Sequence, residues 1–227
     1  MDKLIPRPYS NPQDLEKMRT LLIEGRRANN GTYYVHIGDL NWWLFYPPLD
    51  HDLWQYISLY DDPDAPERLL GWSLLSPSWS AFDVVVQPEL RGSQAAEAMY
   101  TYTEEQITSL VRAKSGDRIR MMWIGQNDDV LMHHLMARGF QRTTEDVVYM
   151  TRSLEEPIPL PVLPEGIKVR HVAGEEEAAA RAAVQYGAYE SEAPFEKYVQ
   201  RYLDFMRSPV YDHELDIIAD FRRLINI

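Results

Sequence analysis

The hexapeptide Arg91-Gly92-Ser93-Gln94-Ala95-Ala96 stands between an apolar β-branched run, Val84-Val85-Val86, and an alanine-rich stretch that continues to Met99. That order reads as a strand, a turn marked by Pro88, and the start of a helix. The first amides of a helix have no partner inside it and lie at the positive end of its dipole. A small-residue turn leading into them therefore suits a phosphate group. The chemistry implied is recognition of an anionic cofactor.

The hexapeptide resembles the pyrophosphate loop of the GCN5-related N-acyltransferases, the GNAT family, which reads Arg/Gln-x-x-Gly-x-Gly/Ala between the fourth strand and the third helix. Arg91 holds the first place and Ala96 the last, and the lead-in Val86-x-Pro88-Glu89-x-Arg91-Gly92 is also similar. Gln94 stands where the family has glycine. If that place needs a left-handed backbone, Gln94 costs about 1–2 kcal/mol; if it needs only a small kink, nothing is lost.

Further segments carry the same resemblance. Leu69 to Leu75 resembles the third strand and Arg118 to Ile124 the fifth. Asn127, Val130, Leu131, Leu135 and Arg138-Gly139-Phe140 resemble the fourth helix and its Gly-Phe ending. The implied fold is α/β (α+β), a mixed central sheet flanked by helices, with strands four and five splayed. In that fold the main chain of Val84 and Val86 pairs with the amide-rich arm of acetyl-CoA, while residues 91–96 take its diphosphate. Asn127 either contacts the arm or caps the fourth helix.

The implied reaction is attack of an amine on a thioester. It needs a base near strand four, stabilisation of the oxyanion, and an acid for the leaving thiolate. Asp83, at the start of strand four, is the candidate base, with the alternative that it is an edge residue. The family's usual acid is a tyrosine at the place of Leu135, so His134, beside His133 on the same helix, is the replacement candidate. Adjacent helical histidines point about 100° apart and make a poor chelate, so no metal is expected.

These residues must be positioned by the elements around them. Leu4 to Tyr9 reads as a short strand. Asn11-Pro12-Gln13-Asp14 opens a helix with Leu15, Met18, Leu21 and Leu22 on one face, ended by Asn29-Asn30-Gly31. Tyr33, Tyr34, Trp42, Trp43, Phe45 and Tyr46 form an aromatic patch, read equally as an acceptor-substrate wall, a plug under a loop or a partner surface. Leu53 to Tyr60, a turn over residues 61–66 and Leu69 to Leu75 make a hairpin, and Trp79 to Val86 is a central strand. Ser93 to Lys114 is a long helix, and Asp146 to Arg152 closes the sheet.

The chain has 227 residues, a formal charge of −12 and no cysteine. Disulfides, thiolate metal sites and cysteine nucleophiles are excluded. The acidity disfavours nucleic acid and anionic membranes and suits an amine acceptor, although solubility alone accounts for it. With no long apolar run and no signal-type opening, a cytoplasmic location is expected by default.

Prolines at 157, 159, 161 and 164 mark a semi-rigid connector. The expected organisation is an acyltransferase domain at 1–154, a linker at 155–165 and an accessory segment at 166–227. The last resembles the opening of a second such domain, with Ile167 to Val172 like Leu4 to Tyr9, Arg170 opposite Arg7, an acidic helix over 174–189, a helix over 194–207 and a strand over 214–218. Alone it makes no sheet core, so Ile167, Val169, Phe195, Tyr198, Tyr202, Phe205 and Ile217 are expected to bury against the first domain or in a homodimer. Two functions stay open: an N-acetyltransferase moving acetyl from acetyl-CoA to a small-molecule or peptide amine, and a catalytically inactive ligand-binding or interaction module on the same fold. The reading favours the enzyme.

Overall fold

The computed structural model describes residues 4–29, 34–49, 52–144, 148 and 150–221, which fall in two compact units, Met1–Asp146 and Val147–Ile227. In the first unit a five-stranded sheet runs β1 (Arg7–Pro8), β2 (Ile57–Asp62), β3 (Ala65–Ser76), β4 (Ala81–Val86), β5 (Arg120–Met121), in that spatial order. All pairs are antiparallel except β4 with β5. Helices α1 (Pro12–Ala28) and α2 (Ile37–Phe45) lie on one face. The other face carries α3 (Gln94–Ala113) and α4 (Asp129–Ala137).

Alternation along β4 divides the two cores. Val85 joins Met18, Leu22, Leu40, Trp72 and Leu74 on the α1 and α2 side, while Phe82, Val84 and Val86 join Met99, Ile107, Leu131 and Leu135 on the other. All six residues of β4 are buried, as a strand covered on both faces requires. Gly71 of β3 lies under α3 so closely that a Cβ there would meet Met99 Sδ at 2.5 Å and the Val85 carbonyl at 2.8 Å. Only glycine lets the helix sit that near the sheet.

Local chemistry sets most boundaries. Asn11 caps α1, its Oδ1 accepting from the amides of Gln13 and Asp14. Leu53–Tyr56, expected as strand, forms one 3₁₀ turn capped by Asp52, so β2 begins at Ile57 and runs into the acidic pair that was read as turn. Pro77–Trp79 makes a second such turn and Ser80 is left-handed with φ of 50°, so β4 starts at Ala81 instead of Trp79. The fifth strand is two residues long, not seven, because the backbone turns aside at Trp123, φ 62°. The aromatic patch contains a helix, α2, which its prolines and mixed spacing concealed; Tyr33 lies outside the described residues. Of the expected closing strand, 146, 147 and 149 lie outside the described residues, and 148 and 150–152 form no strand. Val148 and Met150 are exposed there.

The second unit is a hairpin-like pair, β6 (Ile167–His171) and β7 (Ile217–Phe221), with α5 (Ala178–Ala188) and α6 (Phe195–Met206) between them in sequence. Tyr198 and Tyr202 of α6 are buried as expected. Val169 and Ile217 are not; they are 46 % and 53 % exposed because they lie on the sheet face that α5 and α6 leave uncovered.

One hydrogen-bonding scheme occurs in both units. Arg7 grips Asp14 seven residues on, at 2.9 and 2.7 Å, and Asp61 on the adjoining strand, while the Ser10 amide donates to Asp14 at 2.9 Å. Arg170 grips Glu177 seven residues on, at 2.7 and 2.6 Å, and Asp220 on its adjoining strand at 3.4 Å, while the Ala173 amide donates to Glu177 at 2.7 Å. Strand registers match too, Arg7 facing Leu59 and Arg170 facing Ile218.

Candidate functional site

The site begins where β4 and β5 separate. Their parallel ladder covers only Ala81 with Arg120 and Phe82 with Met121, leaving the edge of β4 from Asp83 onward without β5 beside it. The gap holds a crevice lined by Tyr34, Val84, Tyr100, Trp123, Asp128 and Leu131, among others. It is narrow, with free volume of about 10 Å³, room for little more than one water.

At the end of β4, Pro88–Leu90 makes a 3₁₀ turn and Gly92 takes φ of 75°, a left-handed conformation that side chains resist. A Cβ on Gly92 would meet only Val130 Cγ1, at 3.4 Å, so the need for glycine is conformational. Ser93 caps α3, its Oγ accepting from the Ala96 amide at 3.2 Å. The amides of Gly92, Gln94 and Ala95 make no hydrogen bond among the described residues. Gln94 is the first residue of α3, with negative φ and an exposed side chain, so it neither strains the turn nor fills it. The left-handed place lies two residues earlier than the sequence alone suggested.

Arg91 closes one side of this turn. It forms an ion pair with Asp128 and reaches Asn29 Oδ1 at 3.5 Å, tying the turn to the ends of two other helices. Asp128 also caps α4, accepting from the Leu131 amide at 3.1 Å. The cap is therefore Asp128 and not Asn127, which is exposed in the preceding turn; the shorter reach from residue 128 to the helix amides decides it.

Asp83 is buried in the middle of β4, only 2 % exposed, and not at its edge. Burial drives its pKa from 3.8 up to about 7, while the nearby Tyr34 hydroxyl favours the anion. That approach falls short of a full hydrogen bond, and Asp83 Oδ1 has no donor among the described residues. His134 lies on α4 with its ring 5.0 Å from that of Tyr100. Burial and then Arg138 lower its pKa, and it does not line the crevice, whereas Tyr100 does. Val84 thus lines the crevice and residues 91–96 follow the end of β4, whereas Asp83 stands in mid-strand on the Val85 face, outside the crevice lining, and His134 lies one side chain from the crevice.

Three residues were missed. Tyr34 was read only as one aromatic among many, and its chemistry depends on Asp83, 49 positions later. Tyr100 was hidden in an amphipathic helix. Trp123, 41 % exposed, faces Trp43 at 6.2 Å and carries a left-handed backbone that sequence does not announce for a bulky aromatic. No group of three or more metal-ligating side chains is gathered among the described residues, and none of their helices is long and apolar enough to cross a membrane.

No family model matches the chain, and no curated protein matches it. Among solved structures, the GCN5-related N-acetyltransferase from Sphaerobacter thermophilus is similar with a TM-score of 0.56 at 20 % identity, over 97 % of this chain and 68 % of that one. The fold, a five-stranded mixed sheet flanked by helices, is of the GNAT type.

Proposed function

We propose that the first unit binds acetyl-CoA and transfers its acetyl group to an amine of a small molecule or peptide. The observation that carries this reading is the parting of β4 from β5 after two residue pairs, directly upstream of a turn with three unbonded amides. The diphosphate would take the amides of Gly92, Gln94 and Ala95, with Arg91 and Ser93 beside it, and the amide-rich arm would pair along Val84 and Val86. Asn127 lies on the turn that leads into α4, where it would meet the arm. The narrow crevice must widen to admit that arm.

Asp83 serves as the base. A carboxyl with pKa of about 7 is half ionised at neutral pH, and its anionic form takes the N–H proton that the neutral amine gives up as its lone pair forms the bond to the thioester carbon. The oxyanion is met by main-chain donors of the parted strand. Tyr100, whose ring reaches the crevice, supplies the proton for the thiolate, and His134 acts through it, since a lowered pKa leaves the imidazole neutral at pH 7.

A second reading has its own support: the Asp128 carboxylate stands against Arg91 at the phosphate turn, and Leu135 occupies the place of the family's acid. On that reading the unit binds a ligand without turnover. Acetyl-CoA incubated with a panel of small amines, with thiol release followed in parallel with calorimetric binding, separates the two. Binding with amine-dependent thiol release supports the enzyme; binding without it supports the module.

The shared Arg–acid–acid scheme supports reading the second unit as a partial copy of β1, α1, α2 and β2, joined through the proline-rich stretch. Its uncovered apolar face is the surface we assign to a homodimer contact. A cytoplasmic setting, with neither nucleic acid nor membrane as partner, fits the acidity of the chain.

A further inference from the structure

A hollow of about 250 Å³ opens on the first unit between the end of α1 and the start of α2, lined by Ile23, Arg26, Arg27, His36 and Ile37. Its walls combine aliphatic side chains with two guanidinium groups. Neither Arg26 nor Arg27 meets a carboxylate among the described residues; Arg26 donates only to the Tyr34 carbonyl at 3.0 Å. The chain has 35 acidic residues against 23 basic ones, and among the described residues Arg7, Arg19, Arg68, Arg91, Arg138, Arg170, Arg181 and Arg207 pair with acids, while Arg112, Arg120 and Arg152, like Arg26 and Arg27, do not; only Arg26 and Arg27 share the lining of a hollow.

His36 adds a third donor. Its Nδ1 accepts from the Gly38 amide at 3.0 Å, which fixes the tautomer and leaves Nε2–H as a donor. Cations in the last turn of α1 suit the helix dipole in any case. The dipole does not require a hollow beneath them, and the architecture does not require the pair. In the second unit, where the Arg7 scheme is repeated, the same spacing past the acid reaches Tyr189 and Glu190. The clamp recurs with the fold; the arginine pair does not.

We propose that this hollow binds a small anion with an apolar body, a carboxylate or phosphate monoester held by Arg26 and Arg27 with the hydrocarbon against Ile23 and Ile37. Planar guanidinium groups bind such oxyanions in a bidentate manner, and the aliphatic floor selects against bare inorganic ions. The hollow shares no lining residue with the crevice at β4, although Arg26 bonds to the carbonyl of Tyr34, which lines that crevice, so the test must tell the two sites apart.

The test is calorimetric titration of the full chain with phenyl phosphate, with benzamide and with inorganic phosphate, at low ionic strength. Phenyl phosphate is expected to saturate one site, benzamide to give no binding, and inorganic phosphate to bind more weakly than the phenyl ester. Arg27→Gln, at an exposed position, should weaken phenyl phosphate about tenfold, while Arg152→Gln leaves it unchanged. Equal affinity in Arg27→Gln and the native chain overturns the proposal, as does absence of saturation. Binding that survives Arg27→Gln but is lost in Gly92→Ala places the anion at the α3 turn and overturns it too.

Discussion

Arg91 and Asp128 form an ion pair that joins the turn before α3 to the cap of α4. The carboxylate therefore neutralises the one arginine of the turn and adds its own charge beside three unbonded amides. Asparagine caps helices as well as aspartate does, so Asp128→Asn removes the charge and keeps the cap. Affinity for CoA should rise about three- to tenfold, with a steeper dependence on salt because Arg91 is left free to meet the phosphates, measured by calorimetry at two ionic strengths. Unchanged or weaker binding would show that Asp128 does not oppose the diphosphate.

Asp83 makes stability depend on pH in a defined direction. Its folded pKa, about 7, lies above the unfolded value of 3.8. The folded chain then holds more protons between those limits, so the contribution of this group is full below about pH 4 and is lost as pH rises to about 7. Asp83→Asn should flatten that part of the profile and stabilise the chain above pH 7 by about 2–4 kcal/mol, read by urea unfolding across pH. The same variant should lower any amine-dependent thiol release by about 10²–10⁴-fold.

Asp14 works in the opposite sense. Burial raises its pKa, but hydrogen bonds from Arg7 and Ser10 outweigh burial and hold it at about 2. Its contribution is present above the unfolded pKa and is lost as pH falls towards 2. Arg7→Gln leaves the Asp14 carboxylate buried without its cation and should cost about 2–4 kcal/mol at pH 7. Arg170→Gln, whose partner Glu177 is more exposed than Asp14, should cost less, and equal losses in the two variants would count against this ranking.

For the second unit, Ile217→Glu places a charge on the uncovered face of β6 and β7. Sedimentation velocity of the full chain should show the native protein as a dimer and the variant as a monomer at the same concentration. A native monomer would remove the homodimer reading.

Elements whose periodicity is strong were legible from sequence: α1 through Asn11 and its leucine face, α3 through the alanine run, and β4 through three consecutive valines. The turn before α3 was legible from Pro88 and the Arg-Gly pair, but its left-handed residue is Gly92 and not position 94, where the sequence pattern put it. What escaped depends on distant partners or on single backbone torsions. Ser80 and Trp123 adopt positive φ without being glycine, and these two residues shorten β4 and β5 from their expected lengths. Asp83 was placed on the fourth strand, but its burial, which raises its pKa against the opposing effect of Tyr34, comes from the packing of helices on both faces of the strand, which no local pattern displays. Val169 and Ile217 alternate like core residues and are exposed because alternation marks a face without saying what covers it.

Calorimetric titration of CoA and acetyl-CoA into the native chain and into Gly92→Ala, with folding of both checked by circular dichroism, decides whether the β4–α3 turn and the parted strands hold acetyl-CoA. Saturable one-to-one binding to the native chain is expected, with at least a tenfold loss in Gly92→Ala, where a methyl group forces the turn out of its left-handed bend. No binding to the native chain, or equal binding to both, rules out this site.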